Sequence, residues 1–232
     1  MLDLSDPFSM SGLPNVSIVM PCCNVPYVAA TLRSVIAHGE AHIWVILVDD
    51  GSAEGVPEVI DRRFPQVRRI IRQTKHGVAA ARNGGIEESR PDWVAFEDSG
   101  DLWLPGQLEA LFERLAGTPA RNIVYGHWAV WPSGHAGPST QWLADLRHQV
   151  GEPGLWIGPS GPINPELLLA CPVWRPGALA QRSLLTAFDG TDAAVRIGED
   201  MTCRCARHAH RARAVAAGDL PCAPLQHQPA CA

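Results

Sequence analysis

Two clusters of acidic residues each follow an apolar stretch that is typical of a buried β-strand. Asp49 and Asp50 come directly after one such stretch, and Asp98 and Asp101 come just after another. In open parallel sheets, ligands bind beyond the carboxyl ends of the strands. Carboxylates gathered there are stable when they meet a cation or hydrogen-bond donors. A divalent metal that bridges carboxylates and a pyrophosphate would satisfy both clusters.

A purely structural role for these acids stays open. Aspartate and serine are preferred at helix N-termini, where the side-chain oxygen accepts a bond from a free backbone N–H. Either acidic cluster, taken alone, could equally well cap the helix that follows it.

The elements that must position these acids alternate between strand and helix. Continuous apolar runs predict strands, and apolar residues three and four apart predict helices. The predicted order is strand 16–20, helix 27–38, strand 43–48, helix 54–64, strand 67–71, helix 78–88, strand 93–96, helix 105–115 and strand 123–130. Such alternation is typical of a largely parallel sheet flanked by helices. We therefore predict that the strands ending at Val48 and near Glu97 lie side by side, with Asp50 and Asp98 facing one pocket.

The second half of the chain has a weaker pattern. Residues 131–165 are rich in Trp, Gly and Pro, and we interpret them as a long loop region over a site. Residues 178–187 and 199–210 are predicted helices, and a tail follows them. The tryptophans of this half could stack on an acceptor or form a small aromatic core.

Composition excludes several kinds of partner. The chain has 232 residues, enough for one α/β domain, and a net charge of −5 with scattered basic residues. This charge argues against nucleic acid and against a polybasic membrane patch. No apolar run approaches the roughly 20 residues of a transmembrane segment, and residues 1–14 do not resemble a signal peptide. Together with the odd number of cysteines, seven, these features predict a cytoplasmic protein with reduced thiols.

Five motifs, taken in order, resemble those of the inverting family 2 glycosyltransferases, which have the GT-A fold. They are VSIVMPCCN at 16–24, VDDGS at 48–52, GVAAARNGGI at 77–86, FEDSGDLWLP at 96–105 and GED at 198–200. The resemblance implies a GT-A-like, Rossmann-related and mostly parallel sheet flanked by helices. We further predict a flexible tail at 1–14 and a single domain at 15–232, which the resemblance divides into a nucleotide-sugar-binding half (15–130) and an acceptor half (131–232).

The resemblance assigns the nucleotide to the first half of the chain. The nucleotide-binding residues that it implies are Pro21, Asn24, Asp49, Asp50, Arg82 and Asp98. Asp49 and Asp50 would hold the base, Arg82 would help to position the nucleotide, and Asp98 would contact the ribose or the metal-bound diphosphate.

The resemblance places the catalytic base at Asp200. In an inverting transfer, one carboxylate removes the proton of the acceptor hydroxyl as its oxygen attacks the anomeric carbon. An acid at a helix start is stabilised by the helix dipole, which would keep Asp200 ionised. The same preference supplies the alternative, in which Glu199 and Asp200 merely begin a helix.

A divalent cation, Mn²⁺ or Mg²⁺, is implied as the cofactor, with Asp98, Asp101 and His227 as its ligands. The family usually has a further aspartate where this chain has Gly100, so metal binding is expected to be weakened. Cys23 is a second departure, since the family commonly has a tyrosine there that can stack on the base.

The predicted function is transfer of a hexose, with inversion, from a nucleotide-diphosphate donor to an acceptor hydroxyl. The expected donor is a UDP-sugar, and the acceptor is a glycan, a lipid, a peptide or a natural product. One alternative is a degenerate, non-catalytic member of the same fold that binds a nucleotide or a partner. A nucleotidyltransferase is the other alternative, but the segment 21–24 lacks the glycine-rich phosphate loop that it would need.

Overall fold

The computed structural model describes residues 14–22, 25–39, 42–52, 56–116, 122–129, 155–156, 161–162, 177–187, 189–191 and 213–222. These residues form helices and strands that alternate through the first half of the chain. In chain order they are β1 (Val16–Cys22), α1 (Val25–Ile36), β2 (Ile43–Asp50), α2 (Val56–Arg63), β3 (Val67–Gln73), α3 (Val78–Glu88), β4 (Trp93–Phe96), α4 (Gln107–Ala116), β5 (Ile123–Ala129), β6 (Leu155–Trp156), β7 (Gly161–Pro162), β8 (Ala178–Gln181), α5 (Arg182–Ala187) and β9 (Arg213–Cys222).

The first four strands are parallel and lie in the order β3-β2-β1-β4. Every residue of β1 is buried, and so is all of β2 except Trp44. Continuous burial is expected of central strands that are covered on both faces. The chain moves outward from β1 through β2 to β3 and then returns to the other side of β1 to form β4. This reversal creates a topological switch point beside the carboxyl end of β1.

The predicted placement of the acidic strand ends needs one correction. The ends of β2 and β4 are at the same edge of the sheet, as expected, but they are not adjacent because β1 lies between them. Two strand spacings separate the two ends by about 10 Å. A ligand that contacts both Asp50 and Asp98 must therefore extend across the end of β1.

The second half of the sheet is mixed rather than parallel. β8 is antiparallel to both β4 and β5, and β9 is parallel to β5 but antiparallel to β7. The short strand β6 also pairs with β5 in the antiparallel direction. The prediction of a largely parallel sheet thus holds for the first four strands and not for the rest.

Two elements of the second half differ from their predictions. The segment 178–187 was expected to be one helix, but residues 178–181 form β8 and only residues 182–187 are helical. Backbone bonds to β4 and β5 on both sides outweigh the helix propensity of Ala and Leu in β8. The segment after 210 was expected to be a tail, but it contains β9, which pairs with β5. The predicted helix 199–210 lies outside the described residues.

Helix α3 packs unusually close to β1. A Cβ at Gly85 would collide with the side chain of Val19, so only glycine permits this approach. The contact fixes α3 directly over the strand whose end forms the switch point. None of the helices in the described part of the chain is long and apolar enough to cross a membrane.

Candidate active site

Asp49 closes the turn that follows β2. Its Oδ1 accepts hydrogen bonds from the backbone N–H of Ser52, at 2.9 Å, and from the Ser52 hydroxyl. Its Oδ2 lies 3.4 Å from Nε of Arg72, a half-exposed side chain on β3. The Asp49 side chain is fully buried, so its first role is to shape the Asp-Gly-Ser turn.

Asp50 fastens the loop between β3 and α3. Its Oδ1 accepts from Nε2 of Gln73 at 2.7 Å and from the backbone N–H of His76 at 2.9 Å. Its Oδ2 accepts from the backbone N–H of Gly77 at 2.9 Å. Gly77 is the N-cap of α3 and has φ of +93°. The carboxylate thus fixes the start of α3 against the end of β2.

Arg82, which is buried, and Asp98, which is partly exposed, form an ion pair under the switch point. Nη2 of Arg82 donates to Oδ1 of Asp98 at 2.8 Å and to Oδ2 at 3.0 Å. The Arg82 side chain is 1% exposed, whereas that of Asp98 is 34% exposed. The arginine therefore supports the carboxylate from the protein side, and Asp98 keeps an accessible side that a ligand can reach.

Glu97 is a buried acid that the analysis of the sequence did not select. Burial raises its pKa well above the ordinary value, and the charges of Asp101 and Asp98 raise it further. The indole of Trp103 acts in the opposite direction. Neither carboxyl oxygen of Glu97 has a hydrogen-bond partner among the described residues, so its contact with the Trp103 indole is weaker than a hydrogen bond. Burial consequently dominates, and the protonated form of Glu97 is favoured.

The acidic loop, defined here as residues 98–103, turns sharply at Gly100. The φ of Gly100 is +125°, a conformation that side-chain-bearing residues rarely adopt. Gly100 thus does more than remove a possible metal ligand, because its own backbone conformation favours glycine.

The described residues do not form a metal site by themselves. No group of three or more His, Cys, Asp or Glu side chains in this part of the chain is arranged to hold a metal ion. Asp98 is partly accessible, but Asp101 is 3% exposed. A cation held at Asp98 would need most of its oxygen ligands from a bound diphosphate or from residues outside the described set, where His227 lies.

The structure brings together some of the predicted site residues. Pro21 is buried near the end of β1, where its register partner is Val48. Asp49, Asp50, Arg82 and Asp98 surround the carboxyl ends of β1, β2 and β4. Asn24, Asp200 and His227 lie outside the described residues.

Asn83 makes a long-range contact that the sequence did not indicate. Its Nδ2 donates to the carbonyl of Thr191 at 2.9 Å, and its Oδ1 accepts from the Thr191 N–H at 2.7 Å. Gly190, with φ of +70°, has no room for a Cβ beside the Asn83 amide. Arg82 and Asn83, neighbours on α3, therefore hold the acidic loop and a segment more than a hundred residues away. No sequence pattern indicates the contact between Asn83 and Thr191, which becomes visible only in the folded structure.

The strand order and the acidic switch-point edge define an α/β protein that can bind ligands across the ends of its parallel strands. Residues 17–146, more than half of the chain, match Glycosyl transferase family 2. The chain belongs to this family, as the motifs indicated.

Individual relatives agree with this assignment. The chain is 31% identical over 121 residues to the succinoglycan biosynthesis protein ExoO of Rhizobium meliloti. The match covers 51% of this chain and 35% of that protein. The chain spans less than half the length of the first curated relatives that it matches, 43% of one and 23% of another.

Solved structures show the same fold at low sequence identity. TarS 1–349 of S. aureus, in complex with UDP-GlcNAc, has a TM-score of 0.65 and 14% identity, and the match covers 92% of this chain and 60% of that one. The mannosyltransferase PcManGT of Pyrobaculum calidifontis, in complex with GDP-Man and Mn²⁺, has a TM-score of 0.66 and 19% identity, covering 98% and 62%. The predicted GT-A-like fold is confirmed.

Proposed function

We propose that this chain transfers a hexose from a nucleoside-diphosphate sugar to an acceptor hydroxyl, with inversion at the anomeric carbon. The observation that carries the proposal is the position of Asp98, which is partly accessible at the switch point and supported from below by Arg82. Membership of glycosyl transferase family 2 supports the same reaction class.

The donor would lie across the end of β1. Its base would sit towards β2, near Asp49 and Asp50, and its ribose and diphosphate would sit towards Asp98. Because the oxygens of Asp50 already accept three hydrogen bonds, we propose that this residue shapes the base pocket more than it contacts the base. UDP is the expected nucleotide. The complexes of TarS with UDP-GlcNAc and of PcManGT with GDP-Man make both nucleotides reasonable probes.

The proposed chemistry needs one base in the second half of the chain. The acceptor oxygen forms a bond to the anomeric carbon as the bond from that carbon to the diphosphate oxygen breaks, and Asp200 takes the hydroxyl proton. The nucleoside diphosphate leaves with the electron pair. The acceptor would be a glycan, a lipid, a peptide or a natural product, bound by residues 131–232.

A divalent cation would neutralise charge on the departing diphosphate. Since the described residues do not build a metal site alone, we propose that the ion binds together with the donor, at Asp98. Asp101 and His227 remain the further proposed ligands. The Mn²⁺ in the PcManGT complex supports this cofactor.

A screen of nucleotide sugars tests the proposal. The melting temperature is measured with each donor, with and without Mn²⁺, because a ligand that binds only the folded state raises it. We expect one class of donor to stabilise the chain, and more so with Mn²⁺. The donor so identified is then assayed for release of nucleoside diphosphate, with D200N as the variant that should lose turnover but keep donor binding.

A non-catalytic member of the family is the second candidate. It is favoured by Gly100, whose conformation suits glycine in place of the usual aspartate. This candidate predicts donor binding without turnover in any acceptor mixture.

A further inference from the structure

Helix α1 contacts the acidic loop through a stripe of polar side chains. Thr31, Ser34 and His38 are spaced by three and four residues and therefore lie on one face of the helix and the turn that ends it. Each of them contacts the loop, and no other described function accounts for this stripe.

Thr31 makes two hydrogen bonds to the backbone of the loop at Gly100 and Asp101, where the loop turns. Its Oγ1 donates to the carbonyl of Asp101 at 2.8 Å and accepts from the N–H of Gly100 at 2.9 Å. The side chain is fully buried. One hydroxyl thus holds the backbone on both sides of the bond between Gly100 and Asp101.

Ser34 and His38 continue the contact along the loop. Oγ of Ser34 accepts from the N–H of Trp103 at 3.1 Å and donates to the carbonyl of Thr31 at 2.8 Å. The ring of His38 packs edge-on against Trp103, with ring centroids 5.5 Å apart. His38 is also held by Glu109 of α4, with 3.0 Å between Nδ1 and Oε2.

The loop needs such external support because it turns at a residue whose backbone is little restricted by itself. Gly100, which lies between Asp98 and Asp101, is the residue type with the most backbone freedom to lose on folding. Holding this segment in one conformation therefore requires contacts from outside it.

We propose that the Thr31 and Ser34 hydroxyls are positioning groups that preset the acidic loop for the donor diphosphate. This inference rests on the proposed function. A preset loop binds its ligand without the free-energy cost of ordering at the moment of binding. In this proposal the two hydroxyls act on the donor only through the loop backbone that they contact and that carries Asp98.

Four variants test the proposal. T31V removes both hydrogen bonds and nearly keeps the shape, whereas T31S keeps the hydroxyl. S34A removes the hydrogen bond from the N–H of Trp103 and the local bond to the carbonyl of Thr31. S89A is the matched control, because Ser89 is also buried and donates to the carbonyl of Gly85 at 2.8 Å, away from the loop.

Two quantities are measured on each folded variant. The first is hydrogen exchange of the loop amides without ligand. The second is the affinity for UDP and for GDP, each with Mn²⁺, by calorimetry. We expect T31V to exchange the loop amides at least about tenfold faster and to bind the nucleotide about tenfold more weakly, equivalent to about 1.4 kcal/mol. T31S and S89A should stay within about twofold of the wild type in both quantities. S34A should show an effect between that of T31V and that of these two variants.

Two results would overturn the proposal. One is unchanged loop exchange and affinity in folded T31V, or in S34A should T31V not fold. The other is an equal loss of affinity in S89A, since a general loss of stability would then explain the effect. A wild type that binds neither nucleotide would overturn the proposed function instead, and faster loop exchange in T31V would then show that Thr31 still holds the loop.

Discussion

Asp50 gives the sharpest test of what the acidic strand ends do. In D50N, Oδ1 can keep its bonds from Gln73 and His76, but Nδ2 then faces the N–H of Gly77. The charge-assisted hydrogen bond from Gly77 is lost, and two N–H donors, from the new Nδ2 of the variant and from the Gly77 backbone, then face each other away from solvent. A buried donor left without an acceptor costs about 1–3 kcal/mol, and more where a charged group was involved. We expect D50N to lower the free energy of unfolding by about 2–3 kcal/mol.

Asp49 supplies the matched control. In D49N, Oδ1 can keep both bonds from Ser52, and Nδ2 replaces only the oxygen that faces Arg72. That oxygen has no hydrogen-bond partner among the described residues, so D49N loses no hydrogen bond, and Arg72 is half exposed and can turn towards solvent. The new amide is buried and still costs stability, but D49N should lose at least about 1 kcal/mol less than D50N.

Urea unfolding followed by circular dichroism at neutral pH measures both variants. A difference of at least about 1 kcal/mol between D50N and D49N is expected. Equal losses, or a D50N variant as stable as the wild type, would refute the view that Asp50 holds the β3–α3 loop. A loss of nucleotide affinity in D50N without any loss of stability would instead favour direct contact with the base.

Three further predictions concern other positions. E97Q should be more stable than the wild type, by an amount that grows with pH. The pKa of Glu97 is higher in the folded protein than in the unfolded chain, where it is about 4.3. The stability that protonated Glu97 contributes to the wild type is therefore fully present below about pH 4.3. It is lost as pH rises towards the folded pKa, by up to about 1.4 kcal/mol per pH unit. Unfolding at several pH values checks this, and a constant difference would contradict it. G85A should lower the free energy of unfolding by about 1–3 kcal/mol, because the added Cβ collides with Val19. G84A, whose nearest contact is at 3.8 Å, should raise it by about 0.5–1 kcal/mol. Thermal unfolding of the two variants measures both effects, and equal changes would contradict this view of the α3–β1 contact. G100D should lose about 1–3 kcal/mol because of its positive φ, rather than simply restore a metal ligand, and an unchanged melting temperature would contradict this.

The first half of the fold was predictable because its signals are local. The strand 93–96 and the helix 78–88 have the predicted bounds, since each has an apolar pattern and clear ends. β8 was not predictable, because its sequence favours a helix and only its two neighbouring strands make it extended. The parallel direction of the first four strands was predictable from their alternation with helices. The antiparallel pairs of the second half were not, since no local pattern specifies which strands become neighbours.

The candidate site was predictable in its residues but not in its geometry. The position of acids after strands correctly indicated the carboxyl edge of the sheet. The partners of Asp50 and Asp98 come from residues 16 to 27 positions away, and their arrangement depends on how α3 packs. The sequence presented Gly100 only as a missing ligand, whereas its φ shows a backbone reason for the residue. The roles of Asp200 and His227 remain predictions.

The central claim is that the edge beside β1 binds a nucleoside diphosphate through Asp98, together with a divalent cation. Calorimetric titration of UDP and of GDP into the wild type and D98N, each with and without Mn²⁺, tests it most directly. We predict that Mn²⁺ tightens binding of one nucleotide to the wild type at least about tenfold, equivalent to about 1.4 kcal/mol, and has a much smaller effect in D98N. The claim is contradicted if neither nucleotide binds, or if Mn²⁺ changes the affinity of the wild type and of D98N equally.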